Sequence, residues 1–306
     1  MAESAITVGV RKIVVSNLDK VLYPDGPFTK AQVIDYYVRV SAFLLPHFKN
    51  RPVTLVRYPD GPFGKSFYEK NAPKFTPDWV ATFPVPRSEG GVIQYILIND
   101  LATLAWAANL AALELHPFLH CAPKIDRPTH VVFDLDPGEG TNILTCAEVA
   151  FLVRDLLAKL RLECFPKVSG SKGIQIYAPL NSPVTYERTN GFAHTIADLL
   201  ARDHSTSIVS QMAKMLRRNK VFIDWSQNTQ SKTTVGVYSL RAKRERPFVS
   251  MPVKWEELKK AIRTSDSDKL FFEPEEALAR LKKQGDLFAA VLKLKQRLPR
   301  EYSQIT

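Results

Sequence analysis

A chain of 306 residues, 45% of them hydrophobic, carries enough apolar material for one large core or two smaller ones and is not a disordered polymer. Lys and Arg number 42 against 31 Asp and Glu, so the formal net charge is +11, which suits a polyanionic partner or, more plainly, a generally basic surface. Cys121, Cys146 and Cys164 are odd in number and far apart, which argues against a disulfide framework or a Cys-x-x-Cys zinc site and points to a reducing, cytoplasmic setting.

The first residues show no basic-then-apolar signal pattern. Val10 to Val15 reads as a strand leading into Ser16-Asn17-Leu18-Asp19-Lys20-Val21-Leu22-Tyr23-Pro24. Thr29 and Gln32 have capping-box spacing, and Val33, Tyr36, Tyr37, Val40 and Phe43 recur behind them at helical intervals, so a helix begins near Thr29. Lys30 in its first turn opposes the helix dipole, whereas an anion beside it is favoured by dipole and lysine alike. Asn17, Lys20 and Lys30 are therefore either a phosphate pocket or ordinary surface residues. Val53 to Tyr58 reads as a strand closed by Pro59-Asp60-Gly61, and the loop from Gly64 to Asn71 sets Phe67 and Tyr68 among Lys65 and Lys70. Such rings either stack on nucleic-acid bases or fold back onto the core.

Strands near Val80 to Val85 and Val92 to Ile98 lead to the most apolar stretch, Leu101 to Leu115. It contains Thr103, Asn109 and Glu114 and is too short to span a bilayer, so no membrane is expected as a partner. It reads as one buried helix, capped by Asn99 or Asp100 and cut off at His116-Pro117, which puts His116 at a helix end. His116 and His120 make a poor metal pair because Pro117 interrupts the helix that would align them.

Val131-Val132-Phe133-Asp134-Leu135-Asp136-Pro137-Gly138 carries the most chemistry. Strand alternation puts Asp134 and Asp136 on one face, and Pro137 with Gly138 ends the strand immediately afterwards. Two carboxylates held side by side repel unless a cation lies between them, so the stretch is either a divalent-metal site or a strand-end turn with solvated aspartates. A helix is predicted from Thr145, with Glu148 completing a capping box, to about Leu160.

The strand Phe165 to Val168 runs into Ser169-Gly170-Ser171-Lys172-Gly173, where two glycines, a hydroxyl and a lysine resemble a phosphate cradle. It is not a Walker loop, since the spacing is wrong and a strand follows. Helices are predicted over Thr189 to Leu200 and around Gln211 to Leu216, ahead of Arg217. Val221-Phe222-Ile223 then delivers a third strand-borne carboxylate, Asp224, followed by Trp225-Ser226-Gln227-Asn228. Three such aspartates can hold two divalent ions. The basic segment Lys232 to Arg244 reads as strand, and Trp255 to Ile262 and Glu275 to Leu292 as helices.

Phe133-Asp134-Leu135-Asp136-Pro137-Gly138-Glu139-Gly140, Ser169-Gly170-Ser171-Lys172-Gly173, Val221-Phe222-Ile223-Asp224-Trp225-Ser226-Gln227-Asn228 and Tyr238-Ser239-Leu240-Arg241 together resemble the polymerase domain of bacterial DNA ligase D, of mycobacterial type. That family belongs to the archaeo-eukaryotic primase superfamily, and the resemblance runs from Ser16 to about Leu287. It implies an α/β (α+β) fold: a primase-polymerase core of β-sheet flanked by helices, with an N-terminal α/β portion. The expectation is a single catalytic domain over 1–306, made of an N-terminal portion (1–115), a catalytic core (116–245) and a C-terminal helical portion (246–306).

By the same resemblance, Asp134, Asp136 and Asp224 match catalytic metal ligands for two Mn2+ (or Mg2+) ions. His116, Ser169, Gly170, Lys172, Gln175, Gln227, Lys232, Arg241 and Arg217 match positions around an incoming NTP or dNTP. Phe67 and Tyr68 match an aromatic pair on the base and template, and Asn17, Lys20 and Lys30 a pocket for a DNA 5′-phosphate. The implied activity is a nucleotidyltransferase that adds ribonucleotides, and less well deoxynucleotides, to a DNA primer 3′-end in non-homologous end joining. The implied partners are gapped or broken DNA, a Ku-type end-binding protein and a DNA ligase. Gln175 stands where the family usually has histidine, so an amide replaces a group that can carry charge. Two alternatives stay open: a catalytically weak DNA-end-binding module, and a haloacid-dehalogenase-type phosphatase, against which Pro137 argues.

Overall fold

In the computed structural model, which describes residues 3–87 and 89–300, the chain passes more than once between two units. The first is built from the described residues up to Ile125 with Thr233–Ser250 and Glu273–Gly285. The second is built from Asp126–Lys232, Met251–Phe272 and the residues from Asp286 onward. Helix and sheet are mixed in both, as the α/β (α+β) reading expects.

The first unit centres on an antiparallel sheet in which Pro52–Arg57 pairs with Phe67–Glu69, Val92–Leu97 and Ala112–Pro117, while Thr82–Pro86 extends the far edge. Its long helix, Lys30–Phe48, starts at the predicted capping box: Gln32 N donates to Thr29 Oγ1 and Thr29 N to Gln32 Oε1. Val33, Tyr36, Tyr37 and Val40 are buried as their spacing predicts. Phe43 is only half-buried, and Leu44, one full turn beyond Val40, takes its place in the core. The hydroxyls of Tyr36 and Tyr37 are satisfied at 2.8 Å by the carbonyls of Tyr238 and Leu113. A Cβ on Gly236 would stand 2.2 Å from the Phe48 ring, so only glycine lets these segments meet.

The apolar stretch after Asn99 is not one helix. Asp100 caps a helix at Leu101–Asn109, accepting from Thr103 N at 2.8 Å, and Ala111 then turns with φ +55° into the strand Ala112–Pro117. An uninterrupted apolar run does not distinguish buried helix from buried strand, and here pairing with Pro52–Arg57 decides it. His116 therefore sits on a strand rather than at a helix end. Phe67–Glu69, expected as loop, is a short strand, and Glu3–Val8 forms a hairpin with Arg11–Ser16 that the sequence reading did not include.

The second unit carries a six-stranded sheet in the order Ile208–Val209, Val221–Asp224, His130–Pro137, Ile174–Pro179, Phe165–Val168, Met251–Pro252. All neighbours are antiparallel except the first pair. The helices Ile143–Lys159, Tyr186–Asp203 and Trp255–Thr264 belong to the same unit. Asn142, not Thr145, caps the first of them, and Thr145 is the third helical residue closing the box. The predicted helix around Gln211 to Leu216 reduces to a 3-10 turn at Lys214–Arg217, where Met212, Met215 and Leu216 are exposed and offer no face to bury. In 232–244 only Leu240–Arg241 is strand, because Tyr238 at φ +63° breaks the alternation. Glu275 to Leu292 is split by Gly285 (φ +69°) into Pro274–Gln284 and Ala289–Lys293. Among the described residues no helix is long and apolar enough to cross a membrane.

Candidate active site and nucleic-acid interface

The sheet of the second unit lines up the expected aspartates by register. Asp134 lies directly opposite Asp224 on one neighbouring strand and opposite Gln175 on the other, and Gln175 lies opposite Lys167. Direct partners in antiparallel strands share a face, so Asp224, Asp134, Gln175 and Lys167 form one polar row across four strands, with Asp136 two residues along from Asp134. Burial pushes the Asp134 carboxyl up to about 8; the Asp136 charge adds to this and Asp224 less, against a hydrogen bond from Gln175 and the Lys167 charge.

Among the described residues, no three His, Cys, Asp or Glu side chains converge as an ion-binding group. Asp224 is turned into its own 3-10 turn: Oδ1 accepts from Ser226 N (3.0 Å) and Ser226 Oγ (2.5 Å), and Oδ2 from Gln227 Nε2 (2.9 Å). Lys232 Nζ donates to the same Ser226 hydroxyl. The donor set is nonetheless all carboxylate oxygen, which suits Mg2+ or Mn2+, and the charge gathered around Asp134 has the sign a divalent cation neutralises. Asn228 anchors this turn to the Asp134 strand, donating to Val132 O (2.7 Å) and accepting from Val132 N (2.8 Å).

The loop between Phe165–Val168 and Ile174–Pro179 is closed from within. Ser169 Oγ accepts from Ser171 N and Gly173 N, both at 3.2 Å, and Gly170 takes φ +71°. Ser169 is thus a loop-former, while Lys172 is exposed at the tip. A Cβ at Gly173 would stand 2.2 Å from Leu135 O and 3.3 Å from Asp136 Oδ1, so glycine is what lets the loop lie against the aspartate strand. Arg217 lays its guanidinium 3.7 Å from the ring centre of Phe222, the cross-strand partner of Asp136, and donates to Met212 O at 2.7 Å. Cys146 is buried in this unit, and burial pushes its thiol well up, which leaves it inert.

The remaining expected residues lie in the first unit, in three groups. His116 and Arg241 share a partner that the sequence reading passed over: buried Glu114 accepts from Ala242 N at 2.9 Å, with His116 Nε2 at 2.8 Å and Arg241 Nε at 3.4 Å. Arg241, with His116 and the Ala242 N–H, holds the Glu114 carboxyl down to about 2 despite its burial. The only signal in the sequence was a carboxylate inside an apolar run.

Lys30 is buried, not a surface lysine, and its Nζ donates to Ser16 O at 2.6 Å. Burial lowers its pKa, and the charges of Lys20 and Arg57 lower it further. Arg57 thereby joins the cation group; it also pairs with Glu69 at 2.5 Å. Lys20 pairs with Asp60 at 2.6 Å, and Asn17 takes φ +54° in the turn that leads to it. Phe67 and Tyr68 are exposed rather than folded into the core, with Lys65 Nζ 5.2 Å from the Phe67 ring centre.

A family model described as the LigD primase-polymerase domain matches residues 29–288. The multifunctional non-homologous end joining protein LigD of Mycolicibacterium smegmatis is 38% identical over 280 residues, 91% of this chain and 36% of that protein. The bifunctional LigD of Bacillus subtilis is 34% identical over 276 residues, 90% of this chain and 43% of that protein. The chain therefore spans less than half the length of these curated relatives. The solved polymerase domain of Mycobacterium tuberculosis ligase D in complex with DNA aligns with a TM-score of 0.83 at 38% identity, covering 93% of this chain and 99% of that one. Neither the phosphatase nor the purely end-binding alternative is favoured by these matches. With the family's model matched over most of its length and the fold shared throughout, the chain belongs to the LigD primase-polymerase domain family.

Proposed function

We propose that this chain is a divalent-metal-dependent nucleotidyltransferase that extends a DNA 3′-end at gaps and breaks during non-homologous end joining, with ribonucleotides preferred over deoxynucleotides. The observation that carries the reading is the cross-strand pairing of Asp134 with Asp224 beside Asp136, in a chain of this family. These three carboxylates would hold the ions. Bound Mn2+ or Mg2+ would lower the pKa of the primer hydroxyl and neutralise charge on the leaving pyrophosphate.

The chain's own residues do the rest. Lys172 and Lys232 supply positive charge to the triphosphate, Ser169 and Gly173 hold the loop that carries Lys172, and Glu114 fixes the orientation of His116 and Arg241. Asp224 Oδ2 holds the Gln227 amide; were Asp224 to turn that oxygen toward a metal ion, the amide would be free for the nucleotide. Lys20, Lys30 and Arg57 receive the 5′-phosphate, and Phe67 with Tyr68 stacks on bases. A Ku-type end-binding protein and a DNA ligase would bracket this step in the repair sequence.

The test is extension of a labelled primer on a one-nucleotide gapped duplex, with and without a 5′-phosphate, comparing ribo- and deoxynucleotides in Mn2+. Extension that favours ribonucleotides and the 5′-phosphate is the expected result. Tight binding without extension would overturn the catalytic reading.

A further inference from the structure

Lys167 has no part in the chemistry proposed above, yet its side chain is fully buried on the fifth of the six strands in the sheet that carries the aspartates. A lysine is almost never fully buried unless its charge does something there, since stripping the ammonium of water is costly. Three observations say what this one faces. It is the direct cross-strand partner of Gln175, which is in turn the partner of Asp134, which is the partner of Asp224. Its Nζ lies 5.7 Å from the centre of the Tyr177 ring, two residues from Gln175 on the same strand face, so the side chain reaches over the strand that separates it from Asp134. Between Lys167 and Asp134, the Gln175 amide donates to the carboxylate, while its buried Oε1 has no hydrogen-bond partner.

We infer from this row that Lys167 is an internal counterion for the carboxylates, a positioning residue that holds Asp134 and Asp224 together in the metal-free protein and weakens their hold on a divalent cation. Gln175 lies between the two charges in register, its amide on the carboxylate and its Oε1 unbonded, so Lys167 acts on Asp134 through its electric field and not through a hydrogen bond. Three carboxylates with no positive charge in the row repel one another; three with a fixed ammonium two strands away are tolerable. A cation entering the row then competes with a charge of its own sign, which keeps metal exchange fast. The second half of the inference rests on the proposed metal role of the aspartates, and the first half does not.

Both halves are tested on the whole chain, with Mn2+ alone as the probe. In Lys167→Met the metal-free melting temperature should fall, Mn2+ should bind roughly tenfold tighter by calorimetry, as removal of a unit charge at such a distance implies, and the rise in melting temperature on adding Mn2+ should exceed that of the unaltered protein. Lys167→Arg should behave as the parent. Equal loss of stability with and without Mn2+, at an unchanged dissociation constant, would reduce Lys167 to packing and overturn the inference. Should Lys167→Met not fold, the double variant Lys167→Met with Asp134→Asn is compared with Asp134→Asn alone: a counterion predicts that losing the lysine costs little once Asp134 is neutral, and a double variant that also fails to fold beside a folded Asp134→Asn refutes it. Failure of Mn2+ to bind the unaltered protein would sink the metal reading, and with it the second half, while the metal-free melting of these variants still decides the first.

Discussion

Asp134 and Asp224 are direct partners across two antiparallel strands, yet they are held in opposite ways. Asp224 has both oxygens hydrogen-bonded within its own turn, whereas burial and the neighbouring Asp136 push the Asp134 carboxyl up to about 8. One carboxylate is satisfied and the other is strained. Asp134→Asn should therefore separate stability from activity. The amide removes a charge that the fold resists, so the metal-free protein should gain about 1–2 kcal/mol. Primer extension should fall by at least ~100-fold, about 2.7 kcal/mol of barrier. Denaturant melts alongside primer extension check both, and a loss of activity below about tenfold would remove Asp134 from the proposed site.

Glu114 is the buried charge that organises His116 and Arg241 in the first unit. Its folded pKa, about 2, lies below the ordinary value of 4.5, so its ionised form favours the folded state. The sign follows: that stability is fully present above about pH 4.5 and is lost as pH falls toward 2. The shift corresponds to about 3 kcal/mol at neutral pH. Glu114→Gln should thus be less stable than the parent by roughly this amount at pH 7, with the gap closing as pH drops through that window. Urea titrations of both proteins at pH 7, 4.5 and 2.5 measure it; a gap independent of pH would mean that the carboxylate charge is not what matters.

Lys20, Lys30 and Arg57 gather positive charge that Asp60 partly offsets through its 2.6 Å pair with Lys20. Both partners of that pair are solvent-exposed, so breaking it costs little stability. Asp60→Asn should leave folding unchanged and strengthen the preference for a 5′-phosphorylated gap two- to fivefold, a gain on the order of 0.5–1 kcal/mol. Lys30→Met should abolish that preference. Competition binding with 5′-phosphorylated and 5′-hydroxyl gapped duplexes at two salt concentrations reads both, and the Asp60→Asn gain should shrink at the higher salt.

The strands that carry the aspartates were legible because each is a short apolar run ending in the carboxylate: Val131-Val132-Phe133 ahead of Asp134, and Val221-Phe222-Ile223 ahead of Asp224; their order in the sheet was not. The capping box at Thr29 was legible for the same local reason. What stayed hidden depends on partners distant in sequence. Whether Ala112–Pro117 is helix or strand is decided by Pro52–Arg57, about sixty residues earlier. Glu114 could not be assigned to His116 and Arg241 without that strand, since alternation is what puts Glu114 and His116 on one side. Lys167 gave no sign at all, because a single lysine in Phe165-Pro166-Lys167-Val168 looks like the solvent side of an edge strand until two neighbours cover it.

By the resemblance read from the sequence, Gln175 stands where the family usually has histidine, and its surroundings say what that replacement would do. The side chain is 2% exposed, donates to Asp134 and leaves Oε1 unsatisfied, so the amide uses half its hydrogen-bonding capacity. An imidazole at this position can still donate one N–H to Asp134, removes the orphaned acceptor, and can carry a positive charge next to the carboxylates. Gln175→His should therefore lower the nucleotide concentration needed for half-maximal extension, by threefold or more, and leave the fold intact because the two side chains are similar in volume. Steady-state extension at varied nucleotide and fixed Mn2+ measures it. Identical kinetics for the two proteins would show that position 175 does not act on the nucleotide, and would leave Gln175 only its bond to Asp134.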